Sequence, residues 1–494
     1  MITTNTVKIS VDTNSVFCLP DTARCYVDYI DLLYESRPYL SDDAFSDGII
    51  TVAEAMKEDI IGYKDNIKVT GKTYYISNHG DDGNDGLTPE SPWASPKKLA
   101  EKYEELRDGD AVLFERGSEW RVTDGPLVNA KNGVSYGAYG SGRKPILNGS
   151  IRNYADESYW NETEFPNIYV CSFEFENSGI MVLDFSGKTG NYNELVAHKR
   201  LYGLAGFSAL SDLTEDCSYY NDVEEKKLYF CSHKGNPGKR FDSIEIGGRG
   251  TAIFNHNAKL IENFEIRFFG YGINGGLSMN VKGCIFSYIG GCQLYNDKND
   301  PTVCGNAIEI CGPCDGFYVE NCWMYQICDT GITHQQWEKQ GDLEHKNISF
   351  RGNLVEYCYW SIEFNIIESC NGGKRKASNL EHSYNLLNMG GYGFGGTHFY
   401  REKYATLYNC FGIPEVENGV CKKNILNKCS GSLYRIGSMG ETAIEYSKNI
   451  NVQKKDDKLG LILYKEEYPY NADGIAKLDN LIAQKNGIYV ITDN

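Results

Sequence analysis

Four short phrases hold the side chains best suited to chemistry: YGING with Asn274, GNAIEI with Glu309, DTGITHQ with Asp329 and Thr333, and YWSIEF with Glu363. Aligned on the strand that closes each phrase, Asn274, Glu309, Thr333 and Glu363 form one column, and the glycines of YGFGG (392–396) are expected to continue it. Glu309 and Glu363 would then point the same way two strands apart, about 9–10 Å at the backbone. Asp329 falls in the turn just before its closing strand and should lie beside the column. Three carboxylates on one face can divide the work of proton donor and proton acceptor, because clustered acids push one another's pKa values apart. A lone Glu in such a column would be read as solvated surface. Three acids beside His334, Gln335, Trp337 and Trp360 supply the amides, carboxylates and aromatic faces that bind sugars. Trp323 and Trp360 are equally read as core residues, and His334, next to Thr333, should project to the opposite side of its strand.

The elements that position this column repeat. LIENFEIRFFGYGING, NVKGCIFSYIGG, YVENCWMYQICDTGIT, ISFRGNLVEYCYWSIEF and LEHSYNLLNMGGYGFGG each carry a β-rich run, a turn, a second apolar run and a Gly-containing close. They recur roughly every 20–30 residues, a period typical of stacked repeat architectures. No copy buries its apolar side alone, so neighbours must stack into one continuous core. Strands separated by tight turns predict a parallel β-helix. A core growing in one dimension also accommodates 494 residues without splitting into separate cores. Abundant Gly (52), scarce Pro (13) and plentiful Tyr and Phe suit such a chain.

The chain opens differently. Residues 1–72 lack the repeat, and DTARCYVDYIDLLYESRPYL and TVAEAMKEDIIGY space their apolar residues as helices do, with Asp21 and Thr51 available as caps. They are expected to cover the open end of the first turn. Residues 73–440 form the solenoid. Residues 441–494 form a small C-terminal cap, with LGLILYKEEYPY as a last strand pair and a short helix starting near Asn471 or Asp473.

From residue 73 the text becomes specific: TYYISNHGDDGNDGLTPESPWASPKKL, RDGDAVLFERGSEWR, VSYGAYGSGRKPILNGS and, later, DCSYYNDVEEKKLYFCSHKGNPGKRFDSIEI. These phrases resemble the opening turns and inserted hairpin of the right-handed parallel β-helix (pectate-lyase-like) superfamily, across about residues 73–440. The resemblance implies an all-β, right-handed parallel β-helix, and its glycoside-hydrolase-type members imply a hydrolase. Phrases similar to GNAIEI, CDTGITHQ and WSIEF contribute active-site residues in those members. Carried over, Asp329 and Glu363 become the catalytic pair and Glu309 a third acid that binds or tunes; the column and the residues beside it add Asn274, Thr333, His334, Gln335, Trp337 and Trp360 as expected substrate contacts. The GDDGNDG segment is read as a structural turn rather than a calcium loop, lacking the bidentate acid of an EF-hand.

Polar insertions at 295–306 and 334–347, and a basic one at 372–378, are expected to wall the face. The rival enzyme is a polysaccharide lyase, which takes a proton beside a uronate carboxylate with a Lys or Arg, commonly with calcium. Lys346, Arg351 and the 374–376 cluster are basic, but no basic residue falls in the aligned column. A non-catalytic adhesin is the third reading. A net charge of −18 argues against nucleic acid and anionic membranes as partners. The expected partner is an oligosaccharide or polysaccharide, with no cofactor or metal for a hydrolase. Seventeen cysteines, an odd number at irregular spacing, together with an N-terminus lacking a secretory pattern, predict a reduced, cytoplasmic chain. CGPC (311–314) is read as a turn with two buried thiols.

Overall fold

The computed structural model describes residues 16–493 except 123–125, 174–176, 191–193, 204–206, 294–302, 304, 337–340, 367–374, 398–403, 412–414, 438–443, 456–458 and 464–465. Three ten-stranded sheets run the length of the chain. Each solenoid turn contributes one strand to each. In one turn, Cys314–Glu320 enters the first sheet, Trp323–Ile327 the second, and Thr330–Gln336 the third; the next turn repeats this with Leu343–Arg351, Leu354–Glu356 and Trp360–Ile366. Successive turns pair parallel and in register, as in Phe317↔Ile348↔Leu380. The third sheet carries the acids and is called the site sheet below; the second is the flank sheet. The expected parallel β-helix is the fold.

Side chains alternate in and out along each strand. Ile308 and Ile310, Ile332, Ile362 and Phe364, and Tyr408 and Cys410 of the site sheet all join one elongated core. Sharp corners between sheets use left-handed backbone at single residues that are seldom glycine. Asn263, Asn321, Tyr384, Lys423 and Lys448 (φ 51–64°) turn from the first sheet to the flank sheet. Phe268, Tyr288, Gln326, Tyr357, Met389 and Lys428 (φ 55–62°) occupy the corner after the flank sheet. The first corner is held by an asparagine ladder. Asn353, Asn385 and Asn424 each donate their backbone N–H to the side-chain oxygen of the next turn's asparagine, at 3.1, 3.0 and 2.9 Å. Their amide groups donate to Val319, Phe350 and His382 carbonyls. These are buried backbone groups that a sheet corner would otherwise orphan. Asn385→Ala is therefore expected to lower the unfolding free energy by about 2–5 kcal/mol, the cost of two buried groups left unmade. Denaturant unfolding measures this, and a loss under about 0.5 kcal/mol would show that water replaces the rung.

Helices α1 (Tyr26–Ser36) and α2 (Asp42–Ile61) lie along the outside of the flank sheet, not over the first turn as expected. Phe45, Ile49, Val52, Met56 and Ile60 bury against Ile285, Trp323, Leu354, Leu386, Ile425 and Val490, residues from many successive turns. The apolar outer face of that sheet has to be covered, which explains the placement. Polar ties fix it: Tyr26 donates to Glu320 (2.9 Å), Lys57 pairs with Glu356 (3.2 Å) and Lys423 with Asp31 (2.7 Å). The caps also differ from expectation. Cys25 precedes α1 without a side-chain bond, Ser41 caps α2 through Ala44 N–H, and Thr51 sits mid-helix bonded to the Asp47 carbonyl.

The first turn is instead closed by residues 87–106, whose Trp93, Leu99 and Leu106 enter the core. GDDGNDG is a turn: Asp82 accepts from Ala94 N–H, Ser95 N–H and the Ser95 hydroxyl, and Asp85 from Leu87 N–H. The antiparallel hairpin Ser218–Asp222/Lys227–Cys231 belongs to an inserted β unit with its own core around Phe173, Tyr219 and Phe230. The ladder continues past residue 440 through Ile444–Ser447, Ile450–Lys454 and Leu459–Leu463. It ends in the antiparallel strand Glu466–Pro469 and a helix, Ala472–Ile482, capped by Asn471. No described helix is long and apolar enough to cross a membrane. None of the described cysteines forms a disulfide, and in CGPC only Cys314 is buried while Cys311 is exposed.

Candidate active site

The site-sheet register reads Asn274↔Glu309↔Thr333↔Glu363↔Asn409↔Arg435. The first four match the column expected from sequence. The fifth corrects it: Asn409, not a glycine of YGFGG, follows Glu363, and residues 394–397 form a short 3₁₀ turn outside the sheet. The sixth is also a correction, since Arg435 puts a basic residue in the column. Because Ile308, Ile310, Ile362 and Phe364 face the core, Glu309 and Glu363 face outward. Facing outward does not expose them: Glu363 is 2% accessible and Glu309 9%.

Polar neighbours hold both glutamates. Glu363 Oε2 accepts from the Thr333 hydroxyl at 2.8 Å and from the Thr330 hydroxyl at 3.4 Å, and Asn409 Nδ2 donates to Oε1 at 3.2 Å. Gln335 Nε2 donates to Glu309 Oε1 at 2.6 Å. Burial pushes the Glu363 carboxyl up to about 8, and the charge of Asp329 adds to the rise against the Thr333 and Thr330 bonds. Glu309 is pushed up to about 7, again by burial first, with Asp329 raising it and bonds from Asn306 and Gln335 lowering it. Asp329 sits in the bend before the Thr330–Gln336 strand, its N–H on the Gly305 carbonyl (3.1 Å) and its carbonyl accepting from Trp360 N–H (2.9 Å). It is half-buried, and its charge reaches both glutamates. The face thus offers two carboxyl groups able to carry a proton near neutrality, with Asp329 near enough for its charge to act on both.

The remaining expected contacts divide. Asn274 and Gln335 belong to the outward face, and the buried Asn274 Oδ1 has no partner, nor do those of Asn365 and Asn409. These buried acceptors lie on the same outward side of the site sheet as the glutamates. His334 leaves the site. It points into the core, stacked on Phe364 with ring centroids 3.8 Å apart. Trp360 is half-buried against the core, and its indole N–H donates to the Tyr404 carbonyl (2.8 Å). Trp323 is buried on the flank sheet and donates to Glu356. Trp337 lies outside the described residues.

The expected walls change as well. Of the 295–306 insertion only 303, 305 and 306 are described, and 337–340 and 372–374 lie outside. Residues 334–336 and 343–347 are strand rather than loop, and Arg375, 2% accessible, begins another strand. Lys346 and Arg351 sit on the first sheet, paired near Asp315 and Glu381.

Sequence reasoning missed Asn306, Thr330, Asn409 and Arg435. The signal for Asn409 was present in ATLYNC, which repeats the apolar–polar–apolar order of SIEF; residues 391–405 intervene and carry a glycine-rich decoy.

Fold and face together define a parallel β-helix with an acid cluster on one outer sheet. No family model matches the chain. Over 107 residues, 20% of the chain, it is 34% identical to lacto-N-biosidase of Bifidobacterium longum subsp. longum, a match spanning 6% of that relative's length. Among solved structures it is similar to XylC in complex with xylose (12% identity, 79% of this chain and 69% of that one, TM-score 0.42). It is also similar to the GH136 lacto-N-biosidase of Eubacterium ramulus (14% identity, 94% and 74%, TM-score 0.39).

Proposed function

We propose that the chain is a glycoside hydrolase acting on oligosaccharides, with Glu363 as proton donor, Asp329 as the partner carboxylate and Glu309 as a third acid. One observation carries the reading: a buried, outward-facing Glu363 that keeps its proton near neutral pH beside the charge of Asp329. Glycoside cleavage needs one carboxylic acid to protonate the leaving oxygen and one carboxylate to act on the sugar or on water. Thr333 and Asn409 orient Glu363, and Gln335 orients Glu309. The local identity to a protein named lacto-N-biosidase supports the same class. Hydrolysis of a panel of aryl pentosides, hexosides, fucosides and uronides, with Asp329→Asn alongside, tests it. Turnover of one glycoside that the substitution abolishes in a folded chain supports the reading; silence across the panel sinks it.

Thr333 supplies a finer test. Its hydroxyl bond favours ionised Glu363, so Thr333→Val should raise that pKa and move the alkaline limb of the pH–rate profile upward by about 0.5–1 unit. An unmoved limb would assign the limb to another group.

A lyase is the second reading, and Arg435 favours it. This arginine shares the column two strands beyond Glu363, burial lowers its pKa, and its guanidinium lies 5.6 Å from the Tyr404 ring centroid. Unsaturated product from a uronate polymer, lost on adding a chelator or in Arg435→Gln, would promote it.

A further inference from the structure

The column that holds the acids continues past Asn274 to an exposed aromatic ring. In register it reads Asn129↔Phe254↔Asn274↔Glu309, so Phe254 points to the same outward side as the glutamates. Ile253 on its own strand, and Val128 and Ile273 on the neighbouring ones, face the core. Phe254 lies two strands from Glu309 and four from Glu363, about 10 and 19 Å at the backbone. At 36% accessible it is open where the glutamates are closed. A single exposed phenylalanine needs no explanation. Three features of its surroundings set this one apart.

First, the ring is held in place. Gly275, at φ 97°, passes beside it, and a Cβ there would stand 3.2 Å from Phe254 Cζ. His256 meets the ring edge-on with centroids 4.8 Å apart, and Tyr103 meets His256 in turn at 6.4 Å. A ring fixed before binding loses little freedom when a ligand covers it. Second, the polar groups around it are uncommitted. Asn129 and Asn274, both half-buried, flank Phe254 in the column, and His256 is exposed. Among the described residues no hydrogen bond engages these three side chains. The Asn274 oxygen is buried, which leaves its amide nitrogen as the group to offer. Third, Asn129, Phe254 and Asn274 bring no charge, in a column that continues with Glu309 and Glu363 and reaches Arg435.

We propose that Phe254, with Asn129, His256 and Asn274, forms a distal subsite for an uncharged sugar unit of the oligosaccharide cleaved at the acids. A pyranose presents an apolar C–H face to an aromatic ring and hydroxyls around its edge to amides and imidazole. An apolar side chain of a protein partner would cover the ring but bury these polar groups unpaired, which is costly. The separation makes the site distal: a sugar on Phe254 is at least one unit removed from the one beside Asp329 and Glu363. The assignment rests on the hydrolytic reading for the place of the cleaved bond. Its test reads binding rather than turnover, so the two can fail separately.

An array of uncharged oligosaccharides of two to four pyranose units, probed with the full chain carrying Glu363→Gln, selects a glycan. Calorimetric titration then compares that glycan with its shorter and longer homologues. Affinity should rise with length, and Phe254→Ala should remove the rise, weakening the tetrasaccharide about tenfold by loss of one aromatic contact. Phe254→Trp should keep it, since another aromatic face serves the same role. Denaturant unfolding checks that Phe254→Ala folds; if it does not, Asn129→Ala, which should also weaken the tetrasaccharide, decides. Three results overturn the proposal: no glycan of the array is bound, affinity does not depend on length, or the gain with length survives Phe254→Ala. Length-dependent binding that needs Phe254 in a chain that cleaves no aryl glycoside would sink the hydrolytic reading and leave the sugar site standing.

Discussion

Glu363→Gln should lower turnover of a glycoside with a poor leaving group by about 10²–10⁴-fold, the usual contribution of a positioned general acid. The amide keeps the size of the carboxyl and can retain the hydrogen-bonding geometry to Thr333 and Asn409, so the fold should survive. What it loses is the transferable proton. Two further signatures separate loss of an acid from loss of shape. An aryl glycoside with a strongly acidic phenol leaves with little help from a proton, so its loss should be much smaller. In the parent chain, activity should fall as pH rises past about 8, where Glu363 gives up its proton, and that limb should vanish in the variant. A loss equal for good and poor leaving groups, with the limb intact, would remove Glu363 from the role of donor.

The column that makes this prediction possible was legible because a solenoid converts sequence phase into space. GNAIEI and WSIEF place an apolar residue on either side of the outward one, DTGITHQ places Ile332 before it and His334 after it, and parallel in-register pairing did the rest. Phase fails where the repeat is interrupted. Between the Leu386–Gly390 strand and the Thr406–Phe411 strand the chain inserts residues 391–405, and YGFGG imitates a closing phrase without entering the sheet. The corners were invisible for another reason. Tyr, Met, Gln and Lys adopt φ near 55° here because tertiary packing over-determines the bend, and local preference would not choose them. The two N-terminal helices were legible as helices. Their docking along the flank sheet was not, since the complementary apolar stripe is assembled from Ile285, Leu354, Leu386 and Ile425, residues scattered over 140 positions of chain.

Acid should destabilise this protein through its interior. His334, His345 and His382 all point into the core, with His334 ring centroids 5.7 and 5.8 Å from those of the other two. Their column neighbours are Ile310 and Phe364 for His334, Cys314 and Ala377 for His345, and Phe350 and Cys421 for His382 rather than carboxylates, and Arg375 lies near His345. Burial holds His345 down to about 4, His382 to about 3, and His334 well below its ordinary value. The unfolded chain takes these protons below about 6.5 while the folded chain refuses them. Stability linked to each histidine is therefore fully present above that pH and is lost as pH falls towards 4 and 3, at up to about 1.4 kcal/mol per unit. Glu309 and Glu363 act in the opposite sense. Their folded values lie above the unfolded one, so they hold protons that the unfolded chain has lost, and stability linked to them falls as pH rises from about 4.5 to 7 and 8. Two of the three histidine protons are thus offset between about 4.5 and 6.5, and below about 4.5 all three act together. Acid unfolding should steepen there. His334→Leu isolates one member. Neither of its ring nitrogens has a partner, so the apolar replacement should stabilise the chain by about 1–3 kcal/mol at pH 7. That gain should widen on acidification below 6.5. Denaturant unfolding of both chains at several pH values reads the difference directly; a gap that stays constant from pH 7 to pH 4 would mean that His334 binds its proton equally in the folded and unfolded chains.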